Sequence, residues 1–203
     1  MLEKKKTALF LDSSLDLSLG LIAAWVVAFI PGVHLTWLLL LLGIFGAYAP
    51  DIDVLFFLVK PWGEKGFEQL YKHRSGVHYP LLFLPVAGAL VGGLTYMVSA
   101  SPFVSTLVFM LGAFFHFVHD TFLHGWGISW LYPFSDKRIA LFHHSRYRGA
   151  LLKVLVFPIK RLQGIRNEHH DPEWNWLFRL PPHPWWYAVV AIHTMGLVVL
   201  VSR

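Results

Sequence analysis

At 203 residues the chain has the length of one domain, but 56% hydrophobic and 16% aromatic against 14% charged residues, with a mean hydropathy of +0.53, exclude an ordinary soluble enzyme. The aromatic content and the lack of any repeat exclude a disordered or fibrous chain. The absence of cysteine removes disulfides, thiol nucleophiles and Cys-type zinc sites, so any metal must be held by His, Asp or Glu.

In chain order, apolar runs occupy Leu17 to Ile30, Leu35 to Ala49, Pro80 to Val98, Phe103 to Phe122 and Trp185 to Val201. They predict an all-α polytopic membrane bundle of about five segments, the last three being close to the roughly 20 residues a spanning helix needs. Residues 8–58 form a helical hairpin turning at Pro31-Gly32, either spanning or re-entrant, with Asp12 and Asp16 at headgroup level. Residues 78–124 hold the third and fourth helices, 125–184 a cytoplasmic interfacial segment, and 185–203 the last helix, all in one membrane domain. Trp126, Trp130 and Tyr132 give the polar segment interfacial character. Lys4 to Lys6 ahead of an apolar stretch ending in Ala47-Tyr48-Ala49 have the outline of a leader, but that stretch is about twice the usual length, so the segment is expected in the mature protein.

The net charge of +5 is a matter of topology, because 16 of the 17 basic residues fall in alternate connections. The positive-inside rule then places the N-terminus, the loop with Lys65 and the loop with Arg148 in the cytoplasm and the C-terminus outside a plasma membrane. Anionic lipid headgroups, not nucleic acid, are the partner this charge predicts.

Three polar clusters stand where a membrane protein tolerates them poorly: Asp51 and Asp53 after Pro50, His73-Arg74 and His78 before the third helix, and His116, His119, Asp120 and His124 at the end of the fourth. An Asp at the middle of a membrane helix costs about 2.5–3.5 kcal/mol on insertion scales, so Asp120 calls for a partner. His116 and Asp120 are four apart and share a helical face, which lets one helix offer imidazole and carboxylate to one cation; a hydrogen-bonded polar pair has the same spacing. The charge pattern puts all three clusters at the cytoplasmic ends of their helices, so they can meet. Satisfied helix-end polar groups remain the alternative for each alone.

Pro50-Asp51-Ile52-Asp53, then His73-Arg74-Ser75-Gly76-Val77-His78, then His116-Phe117-Val118-His119-Asp120 followed by Gly127 and Pro133-Phe134 resemble the YdjM-like family of membrane-bound proteins described as metal-dependent hydrolases. The likeness spans residues 48 to 135. It implies that Asp51, Asp53, His73, His78, His116 and Asp120 are the metal ligands, with Arg74 close by. The chain departs from the family pattern at Ser75 and at Val77-His78-Tyr79, and the early His of the family's first helix is absent, His34 lying in the hairpin turn instead.

Such a ligand set suits Zn, Mn or Fe, and six donors are enough for two ions. The chemistry expected is hydrolysis of an ester or phosphoester of a lipid-like substrate by metal-activated water, with Asp53 as proton acceptor and Arg74 on the developing oxyanion. Two other readings use the same residues: a cation-transport site, or a scaffold whose polar clusters lock helices. His143-His144 and His169-His170-Asp171 lie outside the motif, and His193 is expected to bond a neighbouring helix.

Overall fold

In the computed structural model the described residues are 2–52, 77–98, 101–123, 127–141, 154–158 and 184–202. They form helices α1 (Leu2–Val27), α2 (Trp37–Tyr48), α3 (Pro80–Val98), α4 (Pro102–Leu123) and α5 (Pro184–Val201), a 3₁₀ turn at Ala49–Asp51, and strands β1 (Lys137–Leu141) and β2 (Val154–Pro158). The chain is mostly helical, as its composition predicts.

The helix boundaries follow from local chemistry. Prolines 80, 102 and 184 open α3, α4 and α5, at the position where a missing N–H costs nothing. Thr36 caps α2, its Oγ1 accepting from the Leu39 amide at 3.3 Å. At the other end of α2, Pro50 disfavours helical geometry in the residue before it, and the chain tightens into the 3₁₀ turn that delivers Asp51.

The expectation of five membrane segments is corrected. Among the described residues two helices are long and apolar enough to cross a bilayer, Pro80–Val98 and Pro102–Phe122, whereas Ser13–Val27, Trp37–Asp51 and Tyr187–Val201 are shorter apolar helical stretches. The apolar stretches of the first half lie on either side of Pro31-Gly32, and the second ends at the 3₁₀ turn containing Pro50. The longest uninterrupted stretches differ in surroundings. α3 is largely exposed, presenting Leu82, Val86, Leu90 and Leu94, while nearly half of α4 is covered by protein. A bare apolar helix of that length is suited to lipid.

The chain divides into two compact units: residues 1–48, 87–116 and 174–203, and residues 49–86 and 117–173. In the first, α1 packs on α2 and α5 around Leu21, Ala24, Val27, Leu39, Leu40, Val108 and Val199. The helices approach at glycine. A Cβ on Gly43 would strike the Gly20 carbonyl, and one on Gly112 would strike the Gly43 carbonyl, so α1, α2 and α4 touch backbone to backbone. Small residues at the contact are how helices pack where lipid is as apolar as any side chain.

The second unit departs from an all-α fold. β1 and β2 pair antiparallel, from Lys137 opposite Pro158 to Leu141 opposite Val154, and Ile128 bridges to Ile139 with reciprocal 2.9 Å hydrogen bonds. The β-branched and aromatic run Val154-Leu155-Val156-Phe157 favours a strand over a surface helix. Gly127 enters this pairing with φ +63°, and a Cβ there would lie 2.8 Å from the Ile139 carbonyl oxygen. Trp130 and Tyr132 are half-buried and make contacts within the unit: the Trp130 indole donates to Thr121 Oγ1 at 2.9 Å and Tyr132 stacks on Tyr79 at 4.1 Å.

Gly43→Ala is expected to destabilise the protein by about 1–3 kcal/mol through overpacking. Gly93→Ala, on a helical position with nothing within 4 Å, should be neutral or stabilising by up to about 1 kcal/mol, since Ala outranks Gly in a helix. Unfolding of the two detergent-purified variants compares them directly.

Candidate metal centre

In the second unit, three segments bring two carboxylates and one imidazole together. Asp51 ends the 3₁₀ turn after α2, His78 lies two residues before the proline that opens α3, and Asp120 stands in the last turn of α4. His78 Nε2 is 3.1 Å from Asp51 Oδ1 and 3.3 Å from Asp120 Oδ2. His78 is fully buried and the Asp120 side chain nearly so, while the Asp51 side chain is 32% exposed. Phe117, fully buried one turn before Asp120, meets His78 edge to face at 5.9 Å and packs the same way on Phe83 and Trp130. The imidazole therefore sits against an aromatic wall with its Nε2 edge turned to two carboxylates.

That edge is ambiguous in chemistry but narrow in geometry. A single Nε2 hydrogen points well at one oxygen, so two carboxylates at nearly equal range form a poor pure hydrogen-bond site. Donors held 2.0–2.2 Å from a tetrahedral cation are separated by about 3.3 Å, close to both distances observed. The described residues thus contain His and Asp groups that could hold a metal ion, Asp51 and His78 among them.

In the first unit, His116 pairs with a residue absent from the expected ligand set. His116 Nδ1 lies 3.1 Å from Asp16 Oδ1, with side-chain exposures of 1% and 4%. Asp16, read from the sequence as a headgroup-level residue, is buried inside the protein. The signal that could have found it is the rule that singled out Asp120: a lone carboxylate in an apolar helix must have a partner. Other polar groups of the same helix bond across to neighbours. Ser14 Oγ meets His193 Nε2 at 2.7 Å, as expected of a histidine in the last helix, and the Tyr48 hydroxyl donates to the Ser13 carbonyl.

Of the six expected ligands, the structure brings Asp51, His78 and Asp120 together in the second unit and pairs His116 with Asp16 in the first. His119, one turn along α4 from His116, is buried. Asp53, His73, Arg74 and His124 lie outside the described residues, as do His143, His144, His169, His170 and Asp171. One cation in the second unit escaped the sequence reading: Arg138 on β1 is fully buried, with Nη1 donating to the Gly127 carbonyl at 3.3 Å. It sits in a basic-rich segment where nothing in the sequence separates it from its charged neighbours.

A family model for the YdjM inner membrane protein matches residues 15–201. The chain belongs to this family. The match takes in the motif region from residue 48 to 135 and runs well beyond it at both ends, so the resemblance read from those motifs holds for nearly the whole chain. The family and the two long apolar helices together fit a membrane protein. No curated protein and no solved structure matches the chain.

Tyr79, next to His78, has its phenol pushed above the usual 10.0 by burial, against the pull of Arg138 and with Tyr132 adding to the rise. The neutral phenol is thus favoured in the folded state. Above about pH 10 the unfolded chain loses this proton first, so the stability it contributes is present below that pH and declines as pH rises toward the folded value. Tyr79→Phe should make the alkaline loss of stability shallower, measured as the change in unfolding midpoint between about pH 9 and about pH 11.

Proposed function

We propose that this YdjM-family protein is a membrane-bound metal-dependent hydrolase that cleaves an ester, most simply a phosphoester, of a lipid-like substrate at the cytoplasmic membrane surface. The observation that supports it is the approach of Asp51 and Asp120 to one edge of His78, at 3.1 and 3.3 Å. Hard carboxylate and borderline imidazole donors fit Zn, Mn or Fe. When bound, such an ion supplies Lewis acidity and lowers the pKa of water at the site toward about 7.

The roles of the protein groups follow from their burial. His78 and Asp120, closed off from solvent, would hold the ion, and Asp51, whose side chain is partly exposed, would be the donor nearest to solvent. Asp53, two residues on, takes the proton of the attacking water, and Arg74 binds the anionic oxygen of the substrate through its planar fork of donors. His73, Asp53 and His116, the last one helical turn before Asp120, are the remaining proposed donors, a set large enough for two ions. Cation transport is the weaker reading, since α3 carries no acidic, basic or His residue along its whole length to form a path.

Full-length protein purified in detergent and dialysed exhaustively should retain Zn, Mn or Fe by elemental analysis and hydrolyse a nitrophenyl phosphodiester. Asp120→Ala should lower metal content and rate together, the rate by about 100-fold or more. A folded Asp120→Ala protein with unchanged metal content, or a wild-type protein without metal, overturns the reading.

The same proposal places the N-terminus and the basic loops on the cytoplasmic side, on the strength of the charge asymmetry. Because the chain has no cysteine, single Cys replacements are labelled without background. Cysteines at Lys65 and Arg148 should react from the cytoplasmic side and one at Arg203 from the outside; reaction of the Lys65 and Arg148 sites from opposite faces overturns the topology.

A further inference from the structure

We infer that Tyr132 is a positioning residue for His78, and that the turn from Ser129 to Ser135 which carries it clamps together the two segments that bring His78 and Asp120 to one point. The inference rests on the metal-dependent reading above and deepens it, since it gives the polar segment after α4 a part in the same centre.

The turn touches each segment one residue away from the group that matters. Tyr132 stacks on Tyr79, the residue after His78, with ring centroids 4.1 Å apart and planes inclined by 21°. Trp130 donates from its indole to Oγ1 of Thr121, the residue after Asp120, at 2.9 Å, and meets Phe117 edge to face at 6.5 Å. Phe117 in turn meets the His78 ring at 5.9 Å. The side chains of one short turn therefore link the same two segments that the 3.3 Å approach of His78 Nε2 to Asp120 Oδ2 links. All of these residues belong to the second unit.

His78 needs such a support more than Asp120 does. Asp120 stands on α4, whose backbone hydrogen bonds fix it, whereas His78 precedes α3 on backbone that is neither helix nor strand. Tyr79 is where that backbone is pinned: its carbonyl accepts from the Leu82 and Phe83 amides of α3 at 2.9 and 2.8 Å, and its ring lies against Tyr132. The turn itself is well tied. Ile128 and Ile139 close its base with reciprocal 2.9 Å hydrogen bonds, Arg138 Nη1 donates to the Gly127 carbonyl at 3.3 Å, and the Ser135 amide donates to the Leu131 carbonyl at 3.0 Å. A metal site asks its supporting residues to hold each donor to within about 0.5 Å.

The test uses the full chain in detergent with Zn(II) as probe. Equilibrium dialysis should give a Zn(II) dissociation constant about 10-fold or more higher for Tyr132→Ala and close to wild type for Tyr132→Phe, which keeps the stacked ring. Tyr132→Leu, which keeps apolar bulk but no ring, should be as weak as the alanine variant and serves in its place where that variant does not fold. Gly43→Ala, in the first unit, separates positioning from stability: it lowers the unfolding midpoint and should leave the dissociation constant unchanged. Because Tyr132 acts through Tyr79, adding Tyr132→Ala to Tyr79→Ala should weaken binding by less than about 2-fold further. A Tyr132→Leu protein with wild-type affinity, a phenylalanine variant as weak as the alanine one, or full additivity of the two losses overturns the positioning role. So does a Gly43→Ala protein that loses as much affinity as Tyr132→Leu, since the loss then follows stability alone. Failure of the broader reading looks different. A wild-type chain that binds no Zn(II) removes the metal site, and the positioning role is then decided in metal-free protein by the imidazole ¹H–¹⁵N signals of His78, identified by their loss in His78→Gln. Tyr132→Leu should shift or broaden them and Tyr132→Phe should not; signals of wild-type position and width in Tyr132→Leu overturn the inference.

Discussion

Everything distinctive in this protein depends on the cost of placing a carboxylate in apolar surroundings. Asp16 and Asp120 are almost completely buried, each on a helix with a long apolar stretch. Each is met by an imidazole within hydrogen-bonding range, from a segment remote in sequence. A buried carboxylate without such a partner would either take up a proton and become neutral or destabilise the fold by several kcal/mol.

The glycines serve this requirement. Helices α1, α2 and α4 approach until backbone meets backbone at Gly20, Gly43 and Gly112. Short side chains such as Asp16 can then reach across to a neighbouring helix, which a leucine-lined interface would hold too far away. The second unit reaches the same end with different means. Proline stops α2 and starts α3, so Asp51 and His78 stand on irregular backbone just outside helices, and the aromatic cluster around Phe117 backs the imidazole. This cluster, built partly on chain ends and partly on the last turn of α4, has one partly exposed acid, Asp51.

The contrast among the histidines separates structure from chemistry. His193 spends both nitrogens on Ser14 and a carbonyl of its own helix, a closed bond that ties α5 to α1. His78 turns one edge to two acids and His116 turns one nitrogen to one acid. The metal-binding potential rests on these few polar groups, and the family membership on a match over nearly the whole chain.

The sequence by itself determined the helical class and the family and pointed to Asp51, His78, His116 and Asp120 as candidates, from composition, motif order and spacing. Periodicity and burial cost are local properties, and a single chain displays them. It overstated the number of spanning helices: among the described residues two are long and apolar enough to cross a bilayer, and the shorter stretches on either side of Pro31-Gly32 follow a break that the sequence already displays. Only the tertiary structure decided that Asp16 belongs with His116 across 100 residues, that a two-stranded sheet forms in the polar segment, and that Arg138 is buried among its neighbours. Those facts depend on which helix faces touch. Contact between distant segments is set by close packing at residues as plain as Gly43, which carry no chemical signal in the sequence.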